Sequence, residues 1–271
     1  MTYKHNPNSL MKKLPIAHIY CASIAGLILA GGISAGAQTL ALQLKASNYS
    51  GGVWTDSSGN NDTATYSGGS TPTVVANATP NGSSAVNLTG SGSLLLNSSI
   101  SPISGYTVFA FCEVATDGAT RNALTGGSSP TALEYDVYNG NQDYLTEYTA
   151  DVAHGNATLS TTSFSLIDLA VSSSGSSFRL NGASDGTGAG ATFGSAITRI
   201  GNNEGGGDGF VGNVAEIDIY TGVLSSSQIS TVEAGLTAAY VTAVPEPTTL
   251  ALVAGGFGLV LTMRRFRRPQ A

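Results

Sequence analysis

Positive charge is scarce in this sequence and is concentrated near its two ends. The 271 residues include 11 Lys and Arg against 17 Asp and Glu. Seven of the 11 basic residues lie near the termini, which leaves four for the central region: Lys45, Arg121, Arg179 and Arg199. A central region this acidic repels phosphate backbones, because electrostatic attraction supplies most of the affinity for nucleic acid. The composition therefore argues against a nucleic-acid partner.

Cysteine and histidine are also rare. Of the two cysteines, Cys21 lies in an N-terminal segment that we expect to be removed, so Cys112 has no partner for an internal disulfide. The stretch around Cys112, TVFAFCEV, has no cationic residue to activate the thiol, which predicts a small buried apolar side chain. His154 is the single histidine of the central region, and neither a G-x-S-x-G elbow nor an H-E-x-x-H motif accompanies it. We expect an exposed loop histidine without triad or zinc chemistry.

The N-terminal segment has the pattern of a secretory signal peptide. Its three parts follow in the expected order: the basic pair Lys12 and Lys13, the apolar stretch Ile16–Ile28 and the A-x-A cleavage site Ala35–Ala37. We predict that residues 1–37 are a signal peptide, removed by signal peptidase before Gln38, and that translation starts at Met11. The alternative is a retained membrane helix, which the small residues at the end of the segment disfavour.

The C-terminal segment has three parts of its own. These are the triplet Pro245, Glu246 and Pro247, the apolar run Leu250–Met263, and the cluster Arg264, Arg265, Arg267 and Arg268. A helix over 248–263 would be about 24 Å long, so it would only marginally cross a hydrocarbon core of roughly 30 Å. The arginines would hold its end in the cytoplasm and leave the preceding domain outside.

This arrangement resembles the PEP-CTERM sorting signal of Gram-negative bacteria. The resemblance implies that an exosortase, a membrane protease-transferase, recognises the Pro-Glu-Pro region and removes the tail during surface sorting. It also implies that residues 244–271 are a sorting signal with a transmembrane helix and an arginine cluster. The inner membrane would then hold the protein transiently, before it reaches the cell surface or extracellular matrix. The alternative is a retained tail anchor.

Between the two signals, residues 38–243 are long enough for one domain with a full core. Turn residues recur every eight to twelve positions and separate β-type runs, which is typical of an all-β sandwich or barrel. In Tyr106–Val114 both alternating faces are apolar, which predicts a central strand. Asn181-Gly182 predicts a tight hairpin turn that requires positive φ. One short helix is predicted from Ser225 as N-cap and Gln228 as its capping-box partner, with an apolar stripe at Ile229, Val232 and Leu236.

The predicted strands, turns and helix, in this order, resemble the laminin-G-like, concanavalin A-type lectin/glucanase sandwich. The residues that carry the resemblance are the Asp-x-Ser-Gly-Asn turn within Val53–Gly68, the hairpin Phe164–Gly182 and the closing pattern Arg199–Tyr240. The resemblance implies an antiparallel β-sandwich or jelly roll with one short C-terminal helix. It further implies contact with polysaccharide or other surface components through loops at one rim. The fold also hosts hydrolases and structural domains, so a structural matrix protein without a ligand and a divergent glycoside hydrolase remain alternatives.

Glu216-Ile-Asp218-Ile-Tyr220 resembles the strand on which laminarinase-type glucanases carry Glu-Ile-Asp-Ile-Glu. In that motif the first and last glutamates are nucleophile and acid/base, as a retaining glycosidase requires. Here Tyr220 stands in the last position, so the acid/base is missing, and Trp54 is the single tryptophan that could stack on a sugar. We therefore predict that the protein is not an enzyme and has no catalytic residues. Glu216 and Asp218 are predicted to point outward, beside two inward isoleucines.

Two loops offer the oxygen ligands that Ca²⁺ prefers, and relatives bind Ca²⁺ at a rim of the sandwich. The residues are Asp56, Asn60 and Asp62 in the first loop, and Asn202, Asn203, Glu204 and Asp208 in the second. Asx hydrogen bonds within turns explain the same residue types, so calcium stays open and no other cofactor is predicted. The G-x-G-x-x-G match at Gly207–Gly212 leads into a strand rather than a helix, which predicts a turn and not a dinucleotide site.

Overall fold

A computed structural model of the chain describes residues 38–101, 104–115, 122–127, 133–138, 142–147, 150–191, 196–203 and 207–242. The predicted signal peptide and sorting signal lie outside these residues, as do Arg121 and Glu204. In the part of the chain that is described, no helix has the length and apolar character needed to cross a membrane.

The described residues form sixteen strands and one helix. The strands are β1 (Thr39–Ser50), β2 (Val53–Asp56), β3 (Ala64–Gly68), β4 (Thr73–Val75), β5 (Ala85–Thr89), β6 (Gly92–Ile100), β7 (Gly105–Val114), β8 (Asn122–Gly127), β9 (Leu133–Tyr138), β10 (Gln142–Glu147), β11 (Ala150–His154), β12 (Ser165–Ser172), β13 (Ser176–Leu180), β14 (Ala183–Gly188), β15 (Ile197–Ile200) and β16 (Val211–Thr221). The helix α1 spans Ser226–Tyr240.

The strands pair antiparallel in the order β11-β10-β9-β8-β15-β6-β3-β2-β1-β16-β7-β12-β13-β14, with β5 beside β16 and β4 beside β5. The path folds over, so that side chains from both halves form one apolar core. The two ends of the path lie against each other: the amide of Asn156, just after β11, donates to the Asp185 carbonyl on β14 over 3.0 Å. These observations confirm an all-β, antiparallel, sandwich-like fold with one short helix.

The core holds large side chains from both halves of the path. They include Leu42, Leu44, Val108, Ile167, Leu169, Ile217 and Ile219 from one half, and Leu94, Leu124, Tyr135, Val137 and Ile200 from the other. Burying such apolar surface contributes about 25 cal/mol per Å². Trp54 is fully buried in this core, and its indole N–H donates to the Lys45 carbonyl over 2.7 Å. It is therefore a structural residue and not a surface for sugar stacking.

Strand β7 is the central strand that its two apolar faces predicted, and it lies between β12 and β16. Val108 and Cys112 face the core between the two halves of the path. Phe109 and Phe111 face a second apolar cluster, which contains residues of α1. Cys112 is buried, with 1% of its surface exposed, which confirms the expectation for its side chain.

The structure confirms the predicted hairpin turn and the predicted start of the helix. Asn181 (φ 51°) and Gly182 (φ 82°) form the two-residue turn between β13 and β14. Ser225 accepts a hydrogen bond from the Gln228 amide, and the Ser225 amide donates to Gln228 Oε1 over 2.9 Å, which completes the capping box. The helix end is fastened by Asn81, whose amide donates to the Tyr240 carbonyl over 3.1 Å. The glycine-rich stretch before β16 does lead into a strand.

Candidate functional site

Strand β16 brings Glu216, Asp218 and Tyr220 to one face of the sheet. A β-bulge after Val214 inserts one extra residue relative to β7, and a bulge re-aims the side chains that follow it. As a result, Ala215 and Glu216 both lie on the side of α1, while the two isoleucines that follow Glu216 and Asp218 face the core.

Glu216 is buried and uses both carboxylate oxygens as acceptors. Oε1 accepts from the side-chain amide of Gln43 on β1 over 2.8 Å. Oε2 accepts from the Tyr240 hydroxyl at the end of α1 over 2.5 Å. Lys45 adds a weak ion pair, with Nζ 3.9 Å from Oε1 and 40% of the lysine side chain exposed. The two carboxylate oxygens of Glu216 thus have three polar partners, on β1 and on α1.

Asp218 lies next to Glu216 on the same face and is 3% exposed. Among the described residues, its Oδ1 atom has no hydrogen-bond partner. Burial, followed by the negative charge of Glu216, raises the pKa of Asp218 well above its ordinary value. Burial and the same glutamate also raise the pKa of Tyr240, which keeps the phenol protonated as a donor. Burial and the neighbouring Glu216 carboxyl therefore disfavour the charged form of Asp218.

The expectation that Glu216 and Asp218 point outward is wrong in one respect. They do lie on the face opposite the two isoleucines, but they are 4% and 3% exposed. Helix α1 packs on this face through Ile229, Leu236 and Tyr240, and the Tyr240 ring stacks on Phe111 with centroids 5.2 Å apart. A sheet face predicted to meet solvent is instead covered by the helix.

A second ionic contact fastens the same helix to the sheet. Arg179 on β13 donates to both oxygens of Glu233 on α1, over 2.7 Å from Nε and 3.0 Å from Nη2. The hydrogen-bonded Glu233 carboxylate raises the pKa of Arg179, and the nearby Asp168 acts in the same direction. Glu233 was not predicted from the sequence to have a role. Its place four residues after Ile229, within the buried stripe, was the available signal.

The first calcium candidate is organised as a turn by its own hydrogen bonds. Asp56 accepts at Oδ1 from the amides of Gln43 and Ser58, and at Oδ2 from the Ser58 hydroxyl and the Asp62 amide. Burial acts to raise the pKa of Asp56, but these hydrogen bonds outweigh it and the pKa is lowered. Asn60 donates to the carbonyls of Leu40 and Ala41. The turn therefore closes onto β1 without needing an ion.

The second calcium candidate is connected in a similar way. Asn202 donates to the Gly92 carbonyl over 3.1 Å, and its Oδ1 accepts from the Asn203 amide over 2.8 Å. Asn203 donates to Asp208 Oδ2 over 2.5 Å. Within the described residues, no group of three His, Cys, Asp or Glu side chains is placed to hold a metal ion. The structure thus brings Asn202, Asn203 and Asp208 together. Hydrogen bonds among these three residues account for their arrangement.

His154 is exposed, as predicted, but its position differs from the prediction. It is the last residue of β11 and pairs with Tyr144 of β10, so it belongs to a strand and not to a loop. The stretch Val53–Gly68, in which an Asp-x-Ser-Gly-Asn turn was predicted, also contains the two short strands β2 and β3 on either side of that turn.

A family model described as the Concanavalin A-like lectin/glucanases superfamily matches residues 81–230, more than half of the chain. None of the curated proteins matches the sequence. Among solved structures, domain 4 of AbnA, a GH43 extracellular arabinanase from Geobacillus stearothermophilus in complex with arabinotriose, is similar with a TM-score of 0.56 and 18% identity. That match covers 72% of this chain and 98% of the domain.

Two further structures share the fold over part of their length. The binding domain of Paraclostridial Mosquitocidal Protein 1 has a TM-score of 0.54 and 13% identity, and the match covers 73% of this chain and 52% of that one. Trypanosoma rangeli sialidase has a TM-score of 0.52 and 16% identity, with 72% and 32% covered. The chain thus spans about half of the first and a third of the second. At these identities the likeness concerns the fold alone.

Proposed function

The chain belongs to the concanavalin A-like lectin/glucanases superfamily, and on that basis we propose that it is a non-catalytic, lectin-like protein that contacts polysaccharide at the cell surface or in the extracellular matrix. The observation that carries the non-catalytic part is the helix over Glu216 and Asp218. These are the two carboxylates that match the glucanase motif, and a hydrolase would need them in an open cleft.

Three features of the site support the absence of catalysis. Both oxygens of Glu216 are already used as acceptors, from Gln43 and from Tyr240. Tyr220 stands where an acid/base would be required, and the raised pKa of its phenol, caused mainly by burial, makes it a poor proton donor. Finally, a sugar would have to displace α1 and its apolar contacts to reach either carboxylate. Hydrolysis needs a water at the glycosidic bond, and α1 covers the two carboxylates that would act on that bond.

The purified protein is expected to release no reducing ends from soluble polysaccharides above the level of a Glu216→Gln, Asp218→Asn double variant. The reason is that the covered carboxylates cannot reach a glycosidic bond. A reducing-end assay over a panel of arabinan, laminarin and dextran measures this. Release by the unaltered protein that disappears in the double variant would show a hydrolase and overturn the proposal.

Polysaccharide contact is supported by the family and by the surface chemistry. The fold is shared with a domain solved in complex with arabinotriose, and the central region is poor in charge and rich in Ser, Thr, Asn and Gly. Retention of the protein on the polysaccharide of its own host, in a pull-down assay, is the direct test. Absence of retention on that material would favour a structural matrix protein without a ligand.

Export and sorting form the second part of the proposal. Residues 1–37 are the substrate of signal peptidase, and residues 244–271 are recognised by an exosortase through Pro245, Glu246 and Pro247. The inner membrane then holds the chain only until the tail is removed. What supports this is the order of the sequence features: a basic and apolar leader, the Pro-Glu-Pro triplet, an apolar run and four arginines.

Replacing Pro245 and Pro247 by alanine is expected to leave the tail uncleaved and the protein in the inner-membrane fraction, because the recognition triplet is lost. Cell fractionation and immunoblotting of the host, with intact mass spectrometry of the product, measure this. A Thr242→Ala variant, altered just before the triplet, serves as control. Normal processing of the double-proline variant would contradict the assignment.

A further inference from the structure

The end of helix α1 is fixed at one point on the surface of the domain. Its last residue, Tyr240, is tied to the sheet through Glu216. Asn81, in the loop between β4 and β5, donates from its backbone amide to the Tyr240 carbonyl over 3.1 Å and from its side chain to the Ala239 carbonyl over 2.5 Å. Helix ends fray unless they are held. The point from which the chain continues after Thr242 is therefore fixed.

The loop that holds α1 is itself held by hydrogen bonds. Asn81 Oδ1 accepts from the Thr79 hydroxyl over 2.8 Å and from the Ser83 amide over 3.0 Å. Each residue released from a helix would lengthen the following chain by about 2 Å, the difference between extended and helical rise. Because these contacts prevent such release, the chain between α1 and the tail keeps its length.

The connection to the predicted membrane helix is short. Six residue steps lead from Thr242 to Thr248, and they reach at most about 20 Å. The predicted helix, about 24 Å long, is about 6 Å shorter than the hydrocarbon core. With the arginines held on the cytoplasmic side, the connection must also cross this remainder and a headgroup layer of about 5–7 Å. Less than about 10 Å is then left outside the membrane.

This remaining length decides which side of the domain faces the membrane. Helix α1 packs on the outer face of the half that contains β7 and β16, and β2, β3 and β6 belong to the other half. Two packed sheets lie about 10 Å apart and a helix adds about 10 Å. The connection is too short to run around roughly 20 Å of protein. The surface at the end of α1 must therefore lie next to the membrane.

The side chains around the end of α1 suit this position. Of the six large apolar side chains that are exposed in the described part of the chain, three border it: Val74 (46%) and Val75 (38%), just before the loop 76–83, and Val241 (44%), just after Tyr240. The loop has no charged side chain, although the protein has a net charge of −6. Apolar side chains gain by leaving water, and a surface without carboxylates is not repelled by anionic headgroups.

We propose that the surface formed by Val74, Val75, residues 76–83 and Val241 lies against the outer surface of the inner membrane for as long as the tail is attached. The inference rests on the proposed sorting tail and adds the orientation of the domain. The outer face of β2, β3 and β6 then points away from the membrane, toward external polysaccharide. Removal of the tail frees the membrane-facing surface.

Quenching of a fluorophore by lipid headgroups measures this orientation. Ala76→Cys places the label in the loop and Ser99→Cys places it on β6, and both positions are exposed. The full chain, tail included, also carries Cys21→Ser, so the remaining thiol is Cys112, which is 1% exposed. In vesicles of phosphatidylethanolamine and phosphatidylglycerol with spin-labelled headgroups, we expect at least about twofold stronger quenching at the loop, because roughly 20 Å separate the two faces.

Further variants test the two causes of the orientation. A flexible Gly/Ser insertion of about twelve residues after Thr242 adds roughly 20 Å of reach and should abolish the difference between the labels. Val75→Ser with Val241→Ser should weaken quenching of the loop label, because the apolar contact is lost. Val53→Ser with Leu95→Ser is the matched control, since these side chains are 38% and 39% exposed on the other half of the sandwich.

The outcomes separate the orientation from the proposed sorting. Equal quenching of both labels, or stronger quenching at Ser99→Cys, overturns the orientation if the chain floats with the vesicles, and the sorting proposal then stands. A difference that survives the insertion unchanged, or equal weakening by the two pairs of serine variants, also overturns it. If the chain does not float with the vesicles, the membrane tail and the orientation both fail.

Discussion

Replacing Arg179 by methionine is expected to lower the free energy of unfolding by about 3 kcal/mol. Arg179 is 25% exposed and Glu233 8%, and two hydrogen bonds join them. Removing one partner of a largely buried pair typically costs about 3–5 kcal/mol, because the other charge stays buried without compensation. The partial exposure of Arg179 places the expected loss at the lower end. Urea denaturation followed by the fluorescence of Trp54, the single tryptophan, measures it.

Two control variants test whether the loss of stability comes from the ion pair between Arg179 and Glu233. Adding Glu233→Leu to Arg179→Met should recover most of the loss, because the buried Glu233 carboxylate is then no longer left without its partner. Lys45→Met should cost less than about 1 kcal/mol, since the Lys45 side chain is 40% exposed and its nitrogen lies 3.9 Å from Glu216. If Arg179→Met and Lys45→Met prove equally mild, α1 is not held to the sheet by the ion pair.

Asp218 is expected to make the protein less stable as the pH rises. Its pKa in the folded protein is raised by burial and by Glu216, so the folded state binds more protons than the unfolded chain. The free energy of unfolding therefore falls from about pH 4, the pKa of an unfolded aspartate, up to the raised pKa of the folded protein. Asp218→Asn should remove this slope and increase stability at pH 8 by about 1–3 kcal/mol, since no buried charge then forms.

Urea denaturation of both proteins at several pH values from about 2 to 9 tests this expectation, because the unfolded pKa of aspartate lies near 4. Asp56 provides a control of opposite sign, because hydrogen bonds lower its pKa against the effect of burial. Its contribution is present above the unfolded pKa and is lost as the pH falls through the folded value. Asp56→Asn should therefore flatten the acid side of the profile and leave the alkaline slope unchanged. Parallel alkaline slopes in the unaltered protein and in Asp218→Asn would contradict the assignment.

Local patterns predicted the elements that depend on nearby residues. The two apolar faces of β7, the positive φ at Asn181-Gly182 and the capping box at Ser225 all follow from short-range chemistry. The short strands β4, β8 and β11, and β2 and β3 within Val53–Gly68, were not predicted, because three to six residues are too few to show a clear period. Their pairing partners, and not their own composition, make them strands.

The surroundings of Glu216 and Asp218 could not be read from the strand that carries them. Alternation along a strand tells which residues share a face but not what covers that face. Here the cover is α1, whose last residue, Tyr240, reaches back 24 positions to Glu216. The bulge at Ala215 adds to the difficulty, since it shifts the alternation just before the motif. The difference from the prediction therefore arises from tertiary packing.

The near-closure of the sheet limits how copies of this protein can join. β11 and β14, the two ends of the long path, lie against each other, and β4, which pairs with β5, is three residues long and directly preceded by Pro72. Short or covered borders of this kind resist the addition of a strand from another chain. A network built from this molecule would then be held by contacts between side chains and sugars. It should dissolve without harsh denaturants and should not form cross-β fibrils.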